Sequence, residues 1–140
     1  MLVNHLYLYV SSSVLVISLS CFLLFSSHCA IECILAFLLV CVLATSQLFW
    51  YNPIRYSLLH RIDAMIAKVT IILFFIYTFL MKSQDDLRFF VYTALFVSIL
   101  VVAALSEFYS QQEWLSTPHI FFHGLLHMFG FIGTFFAFCP

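Results

Sequence analysis

The sequence predicts an all-α fold: a polytopic integral membrane helix bundle of about five transmembrane helices. Three observations predict it. Of its 140 residues, 65% are hydrophobic and 8% charged, with a mean hydropathy of +1.14, against roughly 45–50% and about 25% in soluble domains. The charged and turn-forming residues collect in a few short clusters. Between those clusters lie apolar stretches of about 18–22 residues, enough to cross ~30 Å of hydrocarbon as helices. A soluble enzyme domain and a disordered chain are excluded, because a globule in water would expose most of its apolar surface. Five Lys/Arg against six Asp/Glu leave no basic field for phosphates, which excludes nucleic acid as a partner. The whole chain, 1–140, reads as a single transmembrane domain integral to a membrane, with lipids as its first partners.

The expected spans, in order, are 6–26, 29–50, 64–81, 89–106 and 120–139. The first carries no Lys or Arg ahead of it and a poor small-residue cleavage site around Ser27–Ala30, so it reads as a retained helix, not a cleaved signal. The second has Glu32 near its start, and the fifth is interrupted by His123, Gly124 and His127. Residues 26–28 form a tight link, and 51–63, with Pro53 near its start, form the longest polar segment. Residues 82–88 make a short solvated turn. Residues 107–118 end at Pro118, whose fixed φ suits a first helical turn, with Thr117 as the expected cap. Trp50, Tyr51, Tyr56, Tyr109 and Trp114 stand at span ends, where interfacial aromatics collect. The five cysteines, an odd number without zinc-ribbon spacing, read as small core hydrophobes.

An odd number of spans places the N-terminus and segments 51–63 and 107–118 on one side, termed side A here. The basic residues favour neither side clearly. The other polar groups do. His5, His60, Asp63, Glu107, Glu113, His119 and His123 fall at the side-A end, with His127 deeper on the same helix, whereas His28 and Glu32 fall at the opposite end. Five of the six histidines therefore converge on one leaflet.

In His119-Ile-Phe-Phe-His123-Gly-Leu-Leu-His127 the imidazoles recur every four residues and share one helical stripe. Rings on adjacent turns suit chelation of one ion. The next span to bring a histidine to this end contains Ser57-Leu-Leu-His60-Arg61-Ile-Asp63, and a carboxylate beside an imidazole can orient it or act as a base. The expected site is a metal centre, with zinc held by two or three of His60, His119, His123 and His127. Asp63 is the acid/base or orienting group, and Ser57 or Ser116 the donor to substrate. The competing expectation is that these rings bond neighbouring helices while the acids pair with Arg61 and Lys68. Ionisable groups inside a membrane favour function. Lys68 is otherwise expected to snorkel, and the paired phenylalanines to pack or face lipid.

The Ser57, His60 and Asp63 group, with His119-x-x-x-His123 on the last span, resembles the superfamily of alkaline ceramidases and adiponectin-receptor-like proteins. That resemblance implies a zinc-dependent lipid amide hydrolase. It departs from the family in having five spans where the family has seven, and two residues between Ser57 and His60 where the family has three. Ser57-Leu-Leu-His60-Arg61 is also similar to the opening of the cytochrome b anchor of succinate dehydrogenase, which implies a quinone contact through Ser57 and Arg61. In that family the haem histidine follows on the next span, and 89–106 contains none. Three functions are thus expected to compete. One is a metal hydrolase acting on a lipid amide or ester; one is an anchor holding haem or touching quinone; one is a non-catalytic accessory subunit of a larger membrane complex. Whether the protein is an enzyme stays open at this point.

Overall fold

The computed structural model describes residues 4–82 and 85–139. Within them the chain is helical from end to end: α1 (Asn4–Ser12), α2 (Leu15–Phe25), α3 (Ala30–Tyr51), α4 (Leu58–Tyr77), α5 (Asp86–Gln112) and α6 (Thr117–Phe138). α4 runs on through a π turn, Thr78–Lys82. Taking α1 with α2 and α4 with its π turn gives five helices long and apolar enough to cross a membrane. The all-α membrane bundle read from composition is therefore the fold. Leu23, Leu24, Phe37, Leu48 and Phe90 are each more than 60% exposed; such apolar surface belongs in lipid.

Several boundaries differ from those expected. The first span is broken at Ser13–Val14. Ser11 and Ser12 donate to the Leu8 and Tyr9 carbonyls at 3.1 and 2.9 Å, and Ser13 to Tyr9 at 3.3 Å. Hydroxyls that bond back to the preceding turn compete with the amide ladder and bend helices. α4 starts at Leu58, not 64, because Ser57 caps it by accepting from the His60 N–H at 3.1 Å. Much of the expected polar segment 51–63 is consequently the first turn of a helix. α5 extends through Gln112, and Ser116, not Thr117, holds the N-cap position of α6, without a side-chain capping bond. Pro118 then sits within the first turn, where no N–H is needed. Ser83 and Gln84 of the expected 82–88 turn lie outside the described residues. Asp85 closes that turn as the cap of α5, accepting from the Arg88 N–H at 2.7 Å.

α6 is the axis of the bundle. It packs most extensively on α5 and also meets α2, α1 and α4, while α3 packs on α4, α1 and α2. Gly124 is where α1 crosses it: a Cβ there would come within 2.5 Å of the Tyr7 ring. Among the described residues the backbones of α4 and α5 approach each other closely at few points. They diverge from a side-B closure, where Phe75 stacks on Phe96 with ring centres 3.8 Å apart and Phe79 meets Phe89 at 5.2 Å.

Candidate functional site

The divergence of α4 from α5 leaves a cavity of about 270 Å³, lined by α3, α4, α5 and α6. Its two ends differ. Toward side A it is lined by Trp50, His60, Asp63, Trp114, His119, His123 and His127, and toward side B by Phe74, Phe75, Tyr92, Leu95 and Phe96. Lys68 and Glu107, both exposed, stand on its rim. Gly130 also lines it, and a Cβ added there would meet no atom within 4 Å.

Of the residues singled out in the sequence, His60, Asp63, His119, His123 and His127 come to this one chamber, whereas Ser57 and Ser116 do not line it. Both serines begin helices instead. The histidine stripe is continuous: ring centres lie 5.8 Å apart from His119 to His123 and 5.0 Å from His123 to His127. Trp50 and Trp114 bind this end together. Trp50 meets His123 edge-on at 4.8 Å, and Trp114 lies 4.9 Å from His119 and 5.4 Å from His60. The expectation of interfacial exposure holds for Tyr51 and Tyr56, at 78% and 64% exposed, but Trp50 is buried at 1%. It sits one residue before the helix end on the inward face of α3, so helical phase overrides proximity to the interface.

The second nitrogen of each ring decides what it can do. Two turns of the chain are alike. Tyr56 and Leu115, at φ 62° and 61°, each stand just before the serine at a helix N-cap position. Each donates its N–H to the Nδ1 of the histidine four residues on, Tyr56 to His60 at 3.1 Å and Leu115 to His119 at 3.2 Å. The left-handed region is costly for such side chains, at roughly 1–2 kcal/mol. An Nδ1 that accepts from an amide carries no proton, so the neutral ring carries it on Nε2. His60 and His119 are thereby fixed as N–H donors, whereas coordination through Nε2 requires a free lone pair there.

The deeper pair is held by side chains. Ser106 Oγ lies 3.1 Å from His123 Nδ1 and Ser11 Oγ 2.7 Å from His127 Nδ1. Ser11 is also 3.1 Å from the Leu8 carbonyl, to which only its hydroxyl can donate. When the Ser11 proton is given there, Ser11 accepts from His127 Nδ1–H and His127 keeps a lone pair on Nε2. Asp63, 6% exposed, accepts from the Thr45 hydroxyl at 2.9 Å. The ion pairs among the described residues, Lys82–Glu32 and Arg88–Asp85, involve neither Asp63 nor Arg61 nor Lys68. Among the described residues no group of three His, Cys, Asp or Glu side chains is set to hold a metal ion.

Sequence reasoning missed Ser11, Thr45, Trp50 and Ser106 as members of the site. A serine or threonine in an apolar span carries no signal of its own until the helix facing it is known. The chain matches no protein-family model, no characterised protein and no solved structure. What fold and site define is a class: an integral membrane helix bundle with a histidine-lined chamber opening between two of its spans.

Proposed function

We propose that this protein handles a lipid within the membrane, and that the chamber between α4 and α5 is its working site. One observation carries the reading. A cavity with a histidine and tryptophan end and a phenylalanine end lies beside two helices whose backbones approach closely at few points. An amphipathic molecule from the bilayer matches it, with its polar linkage among the imidazoles and its chain along Phe74, Leu95 and Phe96. Cavities of this kind bury most of an apolar ligand and orient it by a few polar groups. The test uses Gly130→Leu, at a chamber-lining position where an added Cβ meets no atom within 4 Å. Wild-type protein purified from membranes is expected to carry bound lipid detectable by mass spectrometry after extraction, and the variant to lose it while folding normally. Equal lipid content in the two proteins overturns the reading.

A second reading, metal-assisted hydrolysis of a lipid amide or ester, is favoured by a separate observation. The serines at Nδ1 of His123 and His127 are the partners that orient ligating imidazoles, and Asp63, lining the same chamber, is the nearby base. The capped rings His60 and His119 do not fit as ligands in this arrangement, which leaves two imidazoles where catalytic zinc ordinarily takes three protein ligands. Metal analysis of the purified protein tests it. Zinc near one equivalent, lost in His123→Ala, supports hydrolysis; a haem absorption band or co-purifying subunits supports the anchor or accessory reading instead.

A further inference from the structure

The side-A end of the chamber is an aromatic cage with a definite hydrogen-bonding polarity. Phe49, Trp50, His60, Trp114 and His119 all line the cavity and touch in sequence. Phe49 stacks on His60 at 4.8 Å and 6° and meets Trp50 at 4.7 Å, and Trp50 lies nearly parallel to Trp114 at 6.2 Å. His60 and His119 spend Nδ1 on the amides of Tyr56 and Leu115, so the edge each ring has left is an N–H. Trp50 is 1% exposed, and its indole N–H has no hydrogen-bond partner. An indole N–H can only donate. A buried donor left unpaired costs about 1–3 kcal/mol, and a tryptophan is ordinarily placed where its N–H finds a partner. Thr70, also buried and lining the chamber, has an unpartnered hydroxyl further along.

We infer that this cage recognises a carbonyl oxygen on an apolar chain, which Trp50, His60 and His119 bind by donating N–H groups to it. The inference rests on the lipid-handling reading above and specifies the chemistry of the head. Trp50, His60 and His119 all line this end of the chamber, and the N–H that each has left takes no acceptor from the described residues. An acceptor oxygen can pair with these donors, whereas a hydrocarbon or an ammonium head offers them no acceptor. The same donors explain why these two rings are turned away from metal chelation: the capping amides select the tautomer that donates. An acyl ester and a quinone both present this carbonyl, and the experiment separates them.

The chain has two tryptophans, Trp50 and Trp114, and both line the chamber, so intrinsic emission reports its occupancy. Full-length protein in detergent micelles is titrated with methyl palmitate, with decyl-benzoquinone and with hexadecane. Saturable emission changes are expected with a carbonyl probe at concentrations at least about tenfold below those at which hexadecane acts, the magnitude of one net hydrogen bond in an apolar site. The probe that binds more tightly identifies the source. Trp50→Phe keeps the ring and removes the donor; it is expected to weaken the carbonyl probe by about tenfold and leave hexadecane unchanged, with Trp114 as the remaining reporter. Carbonyl-labelled methyl palmitate in the wild-type protein provides a measurement that needs no variant: its C=O stretch is expected to fall below the value in empty micelles. An unshifted stretch with hexadecane binding as tightly as the carbonyl probes overturns the inference and leaves the chamber reading standing. No saturable response to any probe overturns both.

Discussion

The two ends of the bundle treat buried polar groups differently. At the side-B end Glu32 is fully buried and saturated. It accepts from Ser26 at 2.7 Å, from Ser27 at 2.6 Å and from the Tyr77 hydroxyl, with Lys82 Nζ at 3.6 Å. The π turn Thr78–Lys82 makes this possible. In a regular α-helix residues five apart stand roughly 140° from each other, and the wider turn brings Tyr77 and Lys82 round to one carboxylate. Glu32 thus ties the end of the first span, α3 and α4 together. At the side-A end, Trp50 has an orphaned N–H and the ring edges of His60 and His119 opposite their capped nitrogens face a cavity. Both ends carry the desolvation cost of polar groups in an apolar medium. One offsets it with protein partners; the other leaves it for a ligand to offset. Saturation marks the structural cluster, and the unmet donors mark the proposed binding site.

The largest effect expected from breaking this contrast is at Glu32. Glu32→Ala orphans Lys82 and three hydroxyls, and loss of one member of a buried charged network costs about 3–5 kcal/mol. Thermal unfolding in detergent should show a large drop for this variant, while protein that remains folded still takes up lipid. A drop no greater than that of an exposed control such as Cys33→Ala would remove the saturated cluster from the account.

His123→Ala should do the reverse. It is expected to weaken ligand binding and abolish any metal binding with insertion intact and a stability loss of about 0.5–3 kcal/mol, whereas His28→Ala, at the other end, leaves binding intact. Equal binding loss in both would dissolve the distinction between the ends. The smallest effect sharpens the boundary of the site. Ser57 caps α4 and lies outside the chamber lining, so Ser57→Ala should cost about 1 kcal/mol of stability without lowering lipid occupancy. A selective loss of occupancy or turnover, with stability unchanged, would return Ser57 to the chemistry.

Much of this was readable before any coordinates. Composition and run length specify five apolar helices, and parity of crossing places His60, His119, His123 and His127 at one end. The four-residue spacing puts the last three on one stripe. What escaped is instructive residue by residue. Glu32 was given no role because its partners arrive from two other segments, residues 26–27 and α4 with its π turn. Trp50 looked interfacial because its distance from the span end carried more weight than its helical phase. The bulky residues at positive φ, Tyr56 and Leu115, carry no glycine or asparagine signature, so the turns that select the tautomers of His60 and His119 had no local sign.

The amino-acid order alone determined that this chain belongs in a bilayer and which polar groups share a leaflet, because hydropathy and helical period act along the chain and need no neighbour. Tertiary structure decided which of those groups are satisfied. A hydrogen bond exists only when a second helix or a turn brings its partner within about 3 Å. Packing alone therefore separates a carboxylate with every partner it needs from imidazoles and an indole that still have protons to give.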